Sequence, residues 1–225
     1  VSFVAAFLDV LSIDTVMLVG HSAGGLIAAR FTLQHPSRVS RLVLVDSAGL
    51  GRAANPLLIA TAQLPDWMVS LSINALLLPG SGVARALATG IQLRRPWAVT
   101  PREWIDQIRM TGTRSLLRTS YDLVRIAVGP AGQRSRYSVT DRLGELQMPT
   151  LVVWGLTDEI FPFWQGMLAA RKIPQGRFAI ITSGGHISYL DNHVQFIDFV
   201  GPFLRDDLKE REAIGDADSP EGLKQ

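Results

Sequence analysis

Ser22 sits in Gly20-His21-Ser22-Ala23-Gly24-Gly25, behind the apolar run 16–19 and ahead of a helix-forming run over residues 23–33. A serine at a sharp strand-to-helix turn is held in strained backbone geometry, with its hydroxyl pushed clear of the sheet. Glycines on either side fit that reading, because a Cβ at Gly20 or Gly24 is expected to collide across so tight a turn. The amides that open the following helix point at the serine and stabilise negative charge developing there. A glycine-rich turn whose serine merely caps a helix is the plainer alternative. The strand before Ser22 and the helix after it favour the nucleophile.

A serine hydroxyl needs a base to take its proton, and the base needs a third group to orient it. Four histidines are available. His21 adjoins Ser22, but adjacent side chains on a tight turn diverge. His35 precedes Pro36 at a helix end, and His193 opens the last amphipathic helix. His186 follows Ser183-Gly184-Gly185 and the apolar run 178–181, which places it on a loop at the carboxyl end of a strand. Open α/β sheets carry their sites at that edge, so His186 is the expected base. Two acids suit the third role. Asp158 follows the buried strand 150–154, on a loop that ends in Pro162; Asp46 follows the strand 42–45. Both project from the same edge. The rigid turn after Asp158 favours it, with Asp46 the alternative acid or else a turn cap.

These residues together resemble the α/β-hydrolase fold family. Gly20 to Gly25 is similar to the family's nucleophile elbow, Trp154-Gly155 through Asp158 to Pro162 to its acid loop, and Gly184-Gly185-His186 to its histidine loop. The stretch Arg-Leu-Val-Leu-Val-Asp-Ser-Ala-Gly-Leu over 41–50 is also typical of the family. The resemblance implies an α/β fold, a mostly parallel sheet with helices on both faces, and a triad of Ser22, His186 and Asp158. It implies an oxyanion donor in the backbone N–H of Ala23 and no cofactor or metal. Members normally carry several strands before the elbow, and one preceding loop supplies the second oxyanion donor. Here an amphipathic helix with the stripe Phe3, Val4, Phe7, Leu8 and Leu11 comes first. We therefore expect the N-terminal part, roughly the first third of such a domain, to be absent from this chain. The nucleophile strand would then lack its inner neighbour.

Four segments follow from the pattern. Residues 1–50 form core α/β structure with the elbow, 51–145 a helical segment that the resemblance implies is a cap, 146–204 core with the acid and histidine loops, and 205–225 a polar, disordered tail. The middle segment holds no strand-like run of comparable quality and is broken by prolines. Between Arg85 and Arg142 it carries eleven arginines against four acids. These are read as solvated helix faces rather than an anion-attracting lid. Trp67, Met68, Trp97, Trp104, Tyr121 and Leu76 to Leu78 supply apolar surface, some of it for a pocket.

The 225 residues are 47% hydrophobic, enough for a sizeable core. They include no cysteine, which excludes disulfides and thiolate chemistry. No run is long enough for a membrane span, and no aromatic platform points to nucleic acid. The expectation is a cytoplasmic serine hydrolase acting on a small apolar or aromatic carboxylic ester, with a small-molecule substrate as partner and the oligomeric state left open. Alternatives are hydrolysis of a carbon–carbon bond in a diketone-like substrate, a cofactor-free haloperoxidase or perhydrolase, and a non-catalytic receptor on the same fold.

Overall fold

The computed structural model describes the backbone of residues 1–217 and the side chains of residues 1–205. The chain begins with α1 (Ser2–Val10), β1 (Val16–His21), α2 (Ala23–Gln34) and β2 (Val39–Val45). Five helices follow: α3 (Pro56–Ala62), α4 (Asp66–Leu76), α5 (Gly82–Gly90), α6 (Pro101–Met110) and α7 (Arg114–Ala127). A two-residue ladder, β3 (Val128–Gly129) with β4 (Gly132–Gln133), closes that segment. The chain then returns through β5 (Thr150–Gly155), α8 (Phe163–Lys172), β6 (Gly176–Ile181), α9 (Ser188–Asp191) and α10 (His193–Ala217).

The main sheet is wholly parallel, in the order β1-β2-β5-β6. Its two central strands are apolar at nearly every position, as strands covered on both faces must be. Leu42, Leu44, Val152 and Trp154 pack one way, against Ala28, Ala29 and Phe31 of α2 and Ala169 and Ala170 of α8. Val43, Val45, Leu151 and Val153 pack the other way, against Val200 and Phe203 of α10. Each of the Leu, Val and Phe side chains so buried contributes about 1.5–3 kcal/mol. The period-two alternation therefore sorts one strand's side chains into two cores and clamps the sheet between helix layers.

β1 lies at a free edge, and its Val19 is 46% exposed. The apolar stripe expected on α1 is divided. Leu8 and Val4 turn into the core, while Phe3 and Phe7 stack on each other at 6.5 Å and stay exposed.

In the segment between β2 and β5, α3 and α4 pack on α7, and α5 packs on α6. Thr100 and Glu103 form a reciprocal cap at the start of α6, and the Thr113 hydroxyl accepts from Leu116 N–H at the start of α7. The arginine surplus is partly used in surface pairs: Arg118 and Arg125 both reach Asp66, and Arg142 grips Glu145. Trp104 and Tyr121 pack with their polar ends donating to the carbonyls of Pro96 and Leu64, whereas Trp67 and Trp97 are exposed. The β3–β4 ladder is a strand pairing the sequence pattern does not announce, being too short to show alternation. α10 continues to Ala217, into the stretch read as a tail; residues 218–225 lie outside the described residues.

Candidate active site

The carboxyl ends of β1, β2, β5 and β6 converge, and every candidate site residue lies just beyond one of them. Ser22 joins β1 to α2 with φ 52° and ψ −121°, outside the regions an L-residue prefers. The tight approach that permits this turn is at Gly20. A Cβ there would sit 2.5 Å from the Gly24 carbonyl oxygen and 2.8 Å from Gly25 Cα. The collision expected at Gly24 does not occur, since a Cβ there meets open space. It falls on the next residue, where a Gly25 Cβ would lie 2.3 Å from Ser47 Oγ. The reason is that α2 turns Gly25, not Gly24, toward the loop that follows β2. Replacing Gly20 with Ala should therefore destabilise the fold by about 3 kcal/mol or more, because backbone rather than a movable side chain must yield. Urea unfolding of the variant measures this, and a loss under about 1 kcal/mol would contradict it.

His186 is 4% exposed and reaches two partners at once. Its Nε2 is 2.9 Å from Ser22 Oγ, and its Nδ1 is 3.0 and 3.1 Å from the two Asp158 oxygens. The Asp158 carboxylate is held by its own loop: Oδ1 accepts the N–H groups of Ile160 (2.8 Å) and Phe161 (3.0 Å). The Phe161 ring stands edge-on to the His186 imidazole at 5.5 Å, and Phe161 passes its carbonyl to Trp154 Nε1–H beneath. A carboxylate, an imidazole and a hydroxyl in line can move a proton off the hydroxyl and stabilise the imidazolium that results. Ala23 is the first residue of α2, so the helix itself cannot satisfy its N–H.

Asp46 lies elsewhere. Its backbone also has positive φ (44°), and its fully buried carboxylate ties two chain segments together. Oδ1 accepts from Gly155 N–H at 2.8 Å, and Oδ2 accepts from the Ser188 hydroxyl (2.6 Å) and N–H (3.2 Å). It thus joins the ends of β2 and β5 to α9 rather than capping its own turn. Burial first, then the nearby Asp158 charge, pushes its carboxyl up to about 7, against the pull of those donors. His35 ends α2 with its ring on Phe31, and His193 opens α10; neither approaches Ser22 through any hydrogen bond among the described residues.

Residues 1–193 match the family model of the alpha/beta hydrolase fold. The chain belongs to the α/β hydrolase fold family. It is 27% identical over 217 residues to an uncharacterised protein of Mycobacterium tuberculosis, covering 88% of this chain and 58% of that one. It is 25% identical over 205 residues to a 2-hydroxy-6-oxo-6-phenylhexa-2,4-dienoate hydrolase of Comamonas testosteroni, covering 90% and 67%. Among solved structures, a thermophilic esterase from Thermogutta terrifontis superposes with a TM-score of 0.64 at 22% identity, over 90% of this chain and 70% of that one. The chain spans roughly half to two thirds of the length of the curated relatives it matches.

Within this fold, His21 is closer to the site than its position beside Ser22 implies. Its ring lies 5.1 Å from that of His186, and its Nε2–H donates to the His186 carbonyl at 2.7 Å. Burial, reinforced by the neighbouring His186, lowers its pKa from 6.5 to about 4. The folded chain thus holds His21 neutral, while the unfolded chain protonates it below about 6.5. The resulting contribution is present above 6.5 and is lost as pH falls toward 4. Between about pH 7.5 and about pH 4.5, the parent should lose about 2–3 kcal/mol more than His21→Gln in urea unfolding. Equal losses in the two proteins would show that His21 does not titrate in this way. No histidine–carboxylate cluster able to hold a metal occurs among the described residues. No described helix is long and apolar enough to cross a membrane.

Proposed function

We propose that this chain carries the catalytic centre of a serine hydrolase, with Ser22 as nucleophile, His186 as general base and acid, and Asp158 as the group that orients the imidazole. The observation that carries the reading is the His186 ring spanning Asp158 at 3.0 Å and Ser22 at 2.9 Å. In the first step Ser22 Oγ bonds to a substrate carbonyl carbon while its proton passes to His186 Nε2. The carbonyl electrons move to oxygen, which the Ala23 N–H receives. Collapse expels the leaving group, which takes the proton from His186 and leaves an acyl-serine. Water then attacks, again giving up a proton to His186, and releases the acid and free Ser22. Asp158 keeps the Nδ1–H tautomer in place and stabilises the imidazolium in both halves.

Ester hydrolysis is the reading we favour, with the five helices between β2 and β5 as a cap whose apolar side chains meet the substrate. A second reading, hydrolysis of a carbon–carbon bond in a vinylogous diketone, is favoured by the similarity to the Comamonas hydrolase. The test is a fluorophosphonate probe, followed by turnover of short and long acyl esters and of a vinylogous diketone. Labelling at Ser22 with ester turnover supports the first reading. Diketone turnover well above that of any ester supports the second. A protein that takes no label at Ser22 is a binder and not a serine hydrolase.

A further inference from the structure

Asp191, the last residue of α9, is fully buried and lies outside the Ser22–His186–Asp158 line. Its carboxylate accepts three backbone N–H groups. Oδ2 takes those of Gly185 (2.7 Å) and Arg94 (3.1 Å), and Oδ1 takes that of Arg95 (2.6 Å). Gly185 is the residue before His186. Arg94 and Arg95 lie between α5 and α6, in the helical segment between β2 and β5. The same turn supplies the Gln92 carbonyl to the His186 N–H at 3.0 Å. Leu93 and Val99 pack against Ile187 beside these bonds. The junction has no slack: a Cβ on Gly185 would lie 2.8 Å from the Gln92 oxygen, 3.1 Å from Arg94 N and 3.3 Å from Asp191 Oδ2.

A buried carboxylate is expensive unless donors surround it. Here the donors are all main-chain amides, drawn from both of the loops that meet at Asp191. An ionised carboxylate accepts at both oxygens, and its bonds to N–H groups are shorter and stronger than those of a neutral acceptor. Asparagine has the same shape but turns an NH2 group toward an N–H. The interaction therefore requires an acceptor at both positions and not merely the volume.

We propose that Asp191 is a positioning residue that fastens the His186 loop to the 92–95 turn, so that the inserted helices and the base are placed as one unit. This rests on the serine-hydrolase reading of the site. The 2.9 Å reach from His186 Nε2 to Ser22 then depends on where the inserted segment sits. A displacement of the base by about 1 Å is enough to lower a rate about 10²-fold.

The experiment compares the parent with Asp191→Asn and Gly185→Ala. Fluorophosphonate titration counts competent Ser22 sites, so that kcat is expressed per labelled site. Hydrogen exchange follows the amides of Arg94 and Arg95. In Asp191→Asn, exchange at both amides should quicken at least about tenfold, while kcat per site falls about 10²-fold and KM moves much less. Gly185→Ala, which wedges the same junction with Asp191 intact, should show the same pattern and decides the matter if Asp191→Asn does not fold. A purely structural contact would reduce the number of labelled sites and leave kcat per site unchanged; that result overturns the proposal, as does unaltered exchange. A parent that takes no label overturns the hydrolase reading instead, while exchange in the variants still shows whether the clamp exists.

Discussion

Replacing Ser22 with Ala should lower ester turnover by about 10⁴-fold or more and abolish fluorophosphonate labelling. The change removes one partly buried oxygen, whose partner His186 Nε2 lies 2.9 Å away. On the proposed mechanism the loss is large because Ser22, His186 and Asp158 act as a unit, leaving only binding and amide donors to assist water. Stability should change little, within about 1 kcal/mol, since one part-buried hydroxyl is removed and no large side chain is truncated. The strained φ of 52° remains, and alanine tolerates it no worse than serine. Turnover at more than a tenth of the parent rate, measured on protein with an unchanged urea midpoint, would remove Ser22 from the nucleophile's role.

The two acids should separate in the same assays. Asp158→Asn keeps the shape of the side chain but offers His186 Nδ1 an amide, so the imidazole is no longer held in the tautomer that presents a free Nε2 lone pair to Ser22. A fall in kcat of about 10⁴-fold is expected, with a folded protein. Asp46→Asn should behave oppositely. Its carboxylate meets Gly155 and Ser188 and makes no hydrogen bond to His186, so the folded variant should keep activity within about tenfold of the parent. The buried N–H groups it served would then face an amide, at a cost of about 1–3 kcal/mol in stability. A large kcat loss in Asp46→Asn with an active Asp158→Asn would exchange the two roles.

Much of this protein is legible locally. Runs such as 42–45 and 150–154 are apolar without alternation because both faces of their strands are covered, and that is a property of each run alone. The turn at Ser22 is announced by its own glycines and by the helix that follows. His186 stands out because glycines and a strand end precede it. Such features depend on a few neighbouring residues, so sequence by itself carries them. The side-chain crowding at the turn is not of that kind. It falls on Gly25 rather than Gly24 because the obstacle, Ser47, belongs to the loop that follows the next strand.

Tertiary structure alone decides what depends on distances between segments far apart in the chain. Asp46 and Asp158 both follow strands at the same sheet edge, and no local pattern says which carboxylate meets His186. That is settled by the turn of the 158–161 loop, where two backbone amides aim the Asp158 carboxylate. Adjacent side chains such as those of His21 and Ser22 are expected to diverge on a tight turn, yet the fold brings the His186 carbonyl to within 2.7 Å of His21 Nε2. Asp191 reads as an ordinary acid in a helical stretch. Only folding brings it to Arg94 and Arg95, nearly a hundred residues earlier, because its partners are main-chain amides, which every residue but proline carries and which leave no mark in a sequence.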